Sequence, residues 1–359
     1  MAIPTDVNRT FDTSLVDFNV NASFSTTESD PSDYGAVNHA TTTKTPDVQP
    51  TSLFEEQNQE MPAQSQTSVS PVDIGSAPKP PTSVQHLPTQ DTYDQWASIY
   101  DTDGNMLQSI DDAELETLLP DFLAPALSSS KSSSTKSAQD TPTLSLLDLG
   151  CGTGRNTAKL LSYAWPANLL VEVMGLDFSR GMLDVARTKL RPLMHNSKDK
   201  SKEEQNISLR LECTDCFPTI SHPSASPLPS VPDGIGLRPV DAVISTLVLE
   251  HIPLLPFFAT LAALLVPNGL ALVTNMHAQM GAVSQAGFVN ARGVKVRGSS
   301  FAHTVEETVQ AAGECGFEVV EVRERAMSRE DVECGRVGSR GGKWVGVKVW
   351  FGVVVRKVG

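Results

Sequence analysis

Leu146-Leu147-Asp148-Leu149-Gly150-Cys151-Gly152-Thr153-Gly154-Arg155-Asn156 is the stretch of sequence that decides the fold. An apolar run leads into a glycine-rich loop, and the loop leads into a segment of helical character, residues 155–163. Glycine allows positive φ and lets a ligand approach the backbone closely. The N-terminus of the helix offers unpaired N–H groups and a partial positive charge. The stretch therefore predicts a strand, a loop and a helix that bind a nucleotide-like ligand with an anionic group.

Two ligand classes compete for such a loop. A dinucleotide places its pyrophosphate there, whereas S-adenosylmethionine places its methionyl carboxylate and ammonium groups there. Asp148 would repel a pyrophosphate but tolerates an ammonium group. The glycines at 150, 152 and 154 are two residues apart, whereas the dinucleotide fingerprint has a two-residue gap before its last glycine. Both observations favour S-adenosylmethionine.

Strands and helices alternate on both sides of this loop. The pattern predicts strands at 144–149, 169–176, 207–211, 240–246, 270–275, 317–322 and 343–356. It predicts helices at 91–100, 111–127, 155–163, 181–190, 254–265 and 305–315. Such alternation indicates an α/β fold, in which a mostly parallel seven-stranded sheet has helices on both faces. A helix-free connection, with a turn at 335–342, predicts an antiparallel last strand that inserts beside the fifth.

The chain divides by composition. Residues 1–88 are acidic and rich in Ser, Thr and Pro, and we expect a disordered tail there. Residues 89–127 are expected to form a helical cover for the cofactor, and 128–143 a low-complexity linker. The Rossmann-like core is expected at 144–359, interrupted by insertions at 196–206 and 218–239.

Charge and composition narrow the function classes. The net charge is −14, and the first 90 residues contribute −8 of it, which argues against binding to nucleic acid through bulk charge. Five cysteines in 359 residues do not suggest a disulfide framework. The sequence contains no run of about 18 apolar residues, so no membrane span is expected. We expect a cytoplasmic protein, with a nuclear location left open.

A second ligand-binding feature follows the predicted second strand. Asp177 comes at the end of that strand, where a carboxylate can accept hydrogen bonds from both hydroxyls of a ribose. The competing interpretation is a helix N-cap, to which Ser179 would also contribute.

The motifs Asp148–Gly154, Asp177–Met182 and Val248–Ile252 together resemble class I S-adenosylmethionine-dependent methyltransferases. They look closest to the small-molecule group that includes ubiquinone and menaquinone biosynthesis enzymes (methyltransferase types 11 and 12). The resemblance covers about residues 89–359. It implies a Rossmann-like fold, S-adenosyl-L-methionine as cofactor and methyl transfer to a small-molecule acceptor.

The resemblance also implies site residues. The expected cofactor contacts are Tyr93, Trp96, Tyr100, Asp148, Gly150, Cys151, Gly152, Thr153, Gly154, Asp177, Phe178, Ser179, Met182, Asp215, Cys216, Thr246 and Leu247. The three aromatic residues of the cover would meet the sulfonium or the methionyl chain, unless they simply pack on the core. Asp215 corresponds to the position that contacts the adenine amino group. The insertion at 218–239 departs from the family pattern on this adenine side.

The acceptor side is less defined. His251 is the candidate catalytic residue, as general base, as an orienting group or as a packed side chain. Residues 276–300 form a substrate lid or a solvated loop. Cys213 and Cys216 form a CxxC pair that lacks further ligands, so no metal is expected. Two other functions compete: an NAD(P)-dependent oxidoreductase, and a non-catalytic regulator that uses the tail for a protein partner.

Overall fold

The strand before the glycine loop lies in the middle of a seven-stranded sheet in the computed structural model, which describes residues 83–132, 141–195, 206–232 and 236–359. The strands are β1 (Val84–His86), β2 (Thr143–Leu149), β3 (Leu170–Asp177), β4 (Ile207–Cys213), β5 (Val240–Thr246), β6 (Leu265–Met276), β7 (Gly287–Val289), β8 (Lys295–Arg297), β9 (Phe317–Ala326) and β10 (Lys348–Lys357). The helices are α1 (Thr89–Trp96), α2 (Met106–Ser132), α3 (Arg155–Leu161), α4 (Arg180–His195), α5 (Pro218–Ser221), α6 (Leu254–Leu264), α7 (Ala278–Gly281), α8 (Val305–Glu314) and α9 (Arg329–Glu333).

The order of strands in the large sheet is β4-β3-β2-β5-β6-β10-β9. The first five are parallel, and β10 runs antiparallel to both β6 and β9. This confirms the predicted fold class and the insertion of the last strand beside the fifth. Because strand order reverses between β2 and β5, the ends of these two strands form the crevice where ligands of such folds bind.

Helices cover both faces of the sheet. On one face, α2, α3 and α4 pack with residues such as Phe122, Leu123 and Leu160. On the other, α6 and α8 pack with Phe257, Phe258 and Ala312. Burial on both faces explains why the sequence of β2 is almost continuously apolar rather than alternating.

The connection between β9 and β10 differs from the prediction. It was expected to be helix-free, but α9 and a 3₁₀ turn at Ser339–Trp344 lie there. Ser328 and Asp331 form a reciprocal capping box that starts α9. The carboxylate of Asp331 is also paired with Arg325 and Arg336.

A second, small sheet has the order β1-β8-β7 and was not predicted. The strand β1 lies within the predicted tail, so the folded part begins before Thr89; residues 1–82 lie outside the described residues. The hairpin β7–β8 lies in the segment predicted to be a lid or a solvated loop. Its turn is closed by Asn290, whose side chain accepts the N–H groups of Arg292 and Val294. We call β1, β7, β8 and α1 the cap.

Helix α2 is longer than predicted at both ends. It begins at Met106 rather than 111 and runs to Ser132, inside the predicted linker. Residues 133–140 of that linker lie outside the described part of the chain. No helix in the described residues is long and apolar enough to cross a membrane.

Candidate functional site

The glycine loop after β2 is held by the end of β3. The N–H groups of Gly150 and Cys151 both donate to the carbonyl oxygen of Leu176, at 2.8 and 2.9 Å. The N–H of Gly152 donates to Oδ2 of Asp177 at 2.9 Å. The loop and Asp177, which were predicted to share one ligand, are therefore brought together by direct hydrogen bonds.

The three loop glycines all have positive φ, but they face different surroundings. A Cβ atom on Gly150 would lie 2.5 Å from Cγ2 of Val248, and one on Gly154 would lie 2.9 Å from Cδ1 of Leu190. A Cβ atom on Gly152 would meet nothing within 4 Å. Gly150 and Gly154 thus allow the chain to pack on itself, whereas Gly152 faces open space at the ends of β2 and β3.

Asp177 has the properties expected of a ribose ligand. Its Oδ1 accepts the N–H of Ser179 at 2.8 Å and its Oδ2 accepts that of Gly152. Each carboxylate oxygen keeps a lone pair for a further donor. Burial raises the pKa of Asp177 to about 6, so it is mainly ionised at pH 7. The competing N-cap interpretation also holds in part, because Ser179 Oγ accepts the N–H of Met182 at the start of α4.

Asp148 precedes the loop at the end of β2, and Cys151 and Thr153 belong to the loop itself. Oδ2 of Asp148 accepts the hydroxyl hydrogen of Thr157 at 2.6 Å, which ties α3 to β2, and burial raises the pKa of Asp148 to about 6. Burial raises the pKa of the Cys151 thiol, which keeps it in the protonated, weakly nucleophilic form at neutral pH. The hydroxyl of Thr153 donates to Oδ1 of Asp101 at 2.6 Å. These three residues hold the shape of the loop.

Helix α1 bridges two strand ends across the glycine loop. Gln90 donates to the carbonyl oxygen of Phe178 after β3, at 2.7 Å. Asp94 accepts the hydroxyl hydrogen of Ser179 at 2.6 Å and the N–H of Gly181 at 3.0 Å. At its other side, the helix reaches the turn after β5 through Tyr93. Because β2 lies between β3 and β5, α1 extends over the end of β2 and its loop.

The three predicted cover aromatics form one cluster. The ring centroid of Trp96 lies 5.7 Å from that of Tyr93 and 4.9 Å from that of Tyr100. The ring of Phe288 in β7 stacks on Trp96 with a centroid distance of 5.4 Å. Trp96 is buried, and its indole N–H donates to Asp103 at 2.7 Å. The core-packing interpretation therefore applies to Trp96. Tyr93 and Tyr100 are half-buried and pack against this cluster.

The adenine-side residues lie at the ends of β3 and β4. The N–H of Thr214 donates to the carbonyl oxygen of Asp177 at 2.9 Å, which joins the two strand ends. Asp215 is exposed, with Oδ1 accepting the N–H of Phe217 at 2.8 Å. Phe178 is half-buried, whereas Cys216 and Met182 are buried. Met182 packs with the aromatic cluster of the cap, so its place is beneath the crevice rather than at its surface.

Beyond β5 the backbone adopts an unusual conformation. Thr246 Oγ1 accepts a hydrogen bond from the side chain of Asn156 at 2.6 Å. Leu247 has φ of +56°, which is rare for a residue other than glycine and is often found at functional sites. Its N–H donates to the carbonyl oxygen of Thr274 at 2.9 Å. This bend directs the following 3₁₀ turn, Leu249–His251, toward the cap.

His251 links that turn to the cap. Its Nδ1 lies 2.7 Å from the carbonyl oxygen of Ser299, so Nδ1 carries the hydrogen and donates. Its Nε2 therefore accepts the hydroxyl hydrogen of Tyr93, at 2.7 Å. Burial lowers the pKa of His251 to about 4. At neutral pH the ring is uncharged and both nitrogens have partners.

Glu250 is a site residue that the sequence reasoning missed, although it precedes His251 in the quoted motif. Its side chain is 5% exposed, and Oε1 lies 3.7 Å from Nε2 of His251. Its Oε2 is buried and has no hydrogen-bond partner among the described residues. Burial raises the pKa of Glu250 to about 8, with the charge of Asp111 contributing in the same direction.

The sequence reasoning also missed the contacts of Asp111 in α2, which connect this helix to the glycine loop. Asp111 is fully buried and pairs with Arg155, the residue after the glycine loop, at 2.5 Å. It also accepts hydrogen bonds from Thr274 at 2.6 Å and from the indole of Trp350 at 2.8 Å. The sequence suggested only a helix start at this position. The network fixes α2 to the loop and to β6 and β10.

His277, His303 and the CxxC pair have structural partners. His277 contacts Glu324 at 2.9 Å and His303 contacts the carbonyl oxygen of Ile252 at 2.8 Å. The thiols of Cys213 and Cys216 lie near the carbonyl oxygens of Phe178 and Thr214. Within the described ranges, no three His, Cys, Asp or Glu residues are placed to hold a metal ion.

Comparisons with known proteins agree with this geometry. Residues 147–271 match the family described as a methyltransferase domain. A methyltransferase of Emericella nidulans whose function is uncharacterised is 42% identical over 281 residues, which cover 75% of this chain and 91% of that protein.

Solved structures also match, at lower similarity. The DhpI complex with S-adenosylhomocysteine is 17% identical, with a TM-score of 0.38, over 75% of this chain and 95% of that chain. Magnesium protoporphyrin IX methyltransferase from Synechocystis PCC 6803 is 15% identical, with a TM-score of 0.40, over 74% and 93%.

The chain belongs to the methyltransferase family, as the match to the Emericella nidulans protein shows. Its sheet order and its glycine loop followed by Asp177 are those of the class I enzymes that use S-adenosylmethionine. The predicted enzyme class and cofactor are confirmed, and the NAD(P)-dependent oxidoreductase is set aside. The expected partner role of the tail concerns residues that lie almost entirely outside the described ones.

Proposed function

We propose that this methyltransferase acts on a small-molecule acceptor, which it binds between the glycine loop and the cap. The observation that carries this proposal is the bridge formed by α1, which spans from Phe178 to His251 across the loop. A crevice covered in this way suits a small molecule enclosed by side chains. The acidic net charge of −14 gives no support to a nucleic-acid substrate.

The residues at the loop fit S-adenosylmethionine. The open space at Gly152 leaves room for the methionyl part beside the backbone. In this proposal Asp177 accepts the ribose hydroxyls, and Phe178 and Asp215 flank the adenine. Tyr93 and Tyr100 offer aromatic faces to a cation near the end of β2. Bound S-adenosylmethionine supplies a methyl group on a positively charged sulfur, with a neutral thioether as leaving group.

The chain's own contribution is mainly positional. Holding an acceptor in line with the methyl group gives effective molarities of about 10⁵–10⁸ M. His251 was the candidate catalytic residue, and of its three predicted roles the orienting one fits best. Its low pKa and its hydrogen bond from Tyr93 leave Nε2 a weak base. In this role it fixes the ring of Tyr93 against the crevice.

Cofactor binding tests the donor half of the proposal. We expect Asp177→Ala and Gly152→Asp to reduce the affinity for S-adenosylmethionine at least 100-fold in calorimetry, with the fold retained in circular dichroism. Asp184→Ala, which removes an exposed carboxylate from α4, is the matched control and should bind normally. Unchanged affinity in both site variants would contradict the assignment.

Labelled cofactor tests the acceptor half. A cell extract separated by size would be incubated with the enzyme and S-adenosylmethionine that carries a trideuterated methyl group. We expect the label in the small-molecule fraction, by mass spectrometry, and not with the Asp177→Ala variant. Label confined to the protein or nucleic-acid fraction would contradict a small-molecule acceptor.

A further inference from the structure

The strongest unexplained feature of the site is the carboxyl group of Glu250. A buried polar atom without a hydrogen bond is costly, so native proteins retain few of them. Here Oε2 of Glu250 has no partner among the described residues, while the backbone of the same residue is fully held. Its N–H donates to Asn275 Oδ1 at 2.9 Å, and its carbonyl oxygen accepts the N–H of Phe301 at 2.6 Å. The backbone of Glu250 is therefore fixed in position, while Oε2 of its side chain lacks a hydrogen-bond partner among the described residues.

The groups that face Glu250 come from several elements. Tyr93 and Tyr100 belong to α1 and the turn after it, and burial together with the nearby charge of Glu250 raises the pKa of both phenols. Asp111 of α2 adds a negative charge, and the N–H of Met276 at the end of β6 donates a hydrogen bond. His251 lies 3.7 Å away but is uncharged at neutral pH.

None of these neighbours offers Glu250 a positive charge. The guanidinium of Arg155 pairs with Asp111 and Asp112 instead. A carboxylate at this position thus lacks a cationic partner in the free protein and prefers to stay protonated. A cation that entered the crevice next to the two tyrosines would supply the missing partner and favour the charged form.

We propose that Glu250 is the proton acceptor of the methyl transfer and the counter-ion of the sulfonium cation, an assignment that rests on the proposed function. When the cofactor binds, Glu250 releases its proton to solvent and becomes a carboxylate. During transfer, a lone pair of the acceptor forms the bond to the methyl carbon, and the electrons of the C–S bond return to sulfur. The acceptor's proton moves to Oε2, so that a cation and an anion become two neutral groups.

This role differs from that of His251. A base works best when its pKa lies near the working pH. Burial raises the pKa of Glu250 to about 8 in the free protein, and the sulfonium would lower it from there, whereas the pKa of His251 is already about 4 in the free protein. His251 and Tyr93 then position the acceptor next to Glu250. Glu250 is the catalytic residue, and His251 is a positioning residue.

The test compares two ligands that differ by one methyl group and one positive charge. S-adenosylmethionine and S-adenosylhomocysteine are titrated into the full-length protein at pH 7, in buffers of different ionisation enthalpy. We expect the release of on the order of one proton with S-adenosylmethionine and clearly less with S-adenosylhomocysteine. Both ligands share the ribose and the methionyl groups, so proton changes at Asp177 and Asp148 cancel in the difference.

The pH dependence gives a second readout. Between pH 6 and 8, the affinity for S-adenosylmethionine should rise by up to about tenfold per pH unit relative to that for S-adenosylhomocysteine. Glu250→Gln should remove both the proton difference and this relative pH dependence. Asp184→Asn, which neutralises an exposed carboxylate, should keep them.

Three results would overturn the proposed role of Glu250. Equal proton release for the two ligands in the native protein overturns the role of Glu250 without any variant. A proton difference that persists in a folded Glu250→Gln protein also overturns it. If neither ligand binds the native protein, the proposed function itself fails and this inference fails with it.

Discussion

The donor side of the site, formed by the glycine loop and Asp177, is built from nearby sequence, whereas the acceptor side, formed by Tyr93, Glu250, His251 and the cap, is not. Gly152 and Asp177 are 25 residues apart and are joined by one hydrogen bond. Tyr93 and His251 are 158 residues apart, and His251 and Ser299 are 48 apart. The backbone of the loop forms most of the donor side. The acceptor side is formed instead by side chains from segments that are far apart in the sequence. This difference explains why the sequence identifies the methyl donor, whereas the class of the acceptor is a proposal.

The largest expected effect concerns Asp111, which connects the helical cover to the loop and the sheet. Asp111→Ala leaves Arg155 without its buried partner, and breaking such a pair costs about 3–5 kcal/mol of unfolding free energy. Asp112, whose side chain is 42% exposed, also pairs with Arg155, and Asp112→Ala should cost about 1 kcal/mol or less. Urea denaturation measures both. Equal costs would mean that the network around Asp111 does not hold α2 in place.

The next largest effect is a difference in stability and cofactor binding between substitutions at two glycines of the same loop. Gly154→Ala should cost about 2–4 kcal/mol, because its Cβ would press on Leu190 at a positive φ. Gly152→Ala should cost only about 1 kcal/mol, for the positive φ alone, but should weaken S-adenosylmethionine binding at least tenfold. Thermal unfolding and calorimetry measure the two properties separately. Normal cofactor binding by Gly152→Ala would show that the open space at Gly152 is not the ligand site.

On the acceptor side, a functional substitution should stabilise the protein. Glu250 has a pKa of about 8 in the folded chain against an ordinary value of 4.5, so the folded state binds more protons between these pH values. Stability is therefore lost as pH rises from 4.5 to 8. Glu250→Gln removes this penalty and should be about 1–3 kcal/mol more stable than the native protein at pH 8, with little difference at pH 5. Denaturation at the two pH values checks this, and a loss of stability at pH 8 would contradict it.

The smallest effect is expected at the hydrogen bond between Tyr93 and His251. Tyr93→Phe should lower the free energy of unfolding by about 1 kcal/mol. It should change the affinity for S-adenosylmethionine less than threefold, because the variant keeps the ring and loses only the hydrogen bond to His251. Tyr163→Phe, on the ring that packs against Trp165, is the matched control. A large loss of cofactor affinity in Tyr93→Phe alone would move this hydroxyl to the donor side.

The same contrast explains what the sequence could predict. The succession of strands and helices along the chain, the loop and Asp177 follow from local patterns, since apolar runs, glycines and a carboxylate at a strand end are visible among neighbouring residues. Within the cap, α1 was predicted, but the small sheet was not, because β1 and β8 are three residues each and pair across more than 200 positions. The roles of Asp111 and Glu250 depend on burial and on missing partners, which exist only once the chain has folded. Ser328 and Asp331 did carry a capping signal for α9 that the sequence reasoning overlooked.

A crystal structure with S-adenosylhomocysteine tests the account most directly. We predict the ribose hydroxyls within hydrogen-bond distance of the Asp177 carboxylate, the homocysteine chain against Gly152, and the sulfur on the side of Tyr93 and Glu250. A ligand bound with Asp177 and Gly152 free of contact would contradict the assignment of the donor side, and with it the proposed place of the acceptor.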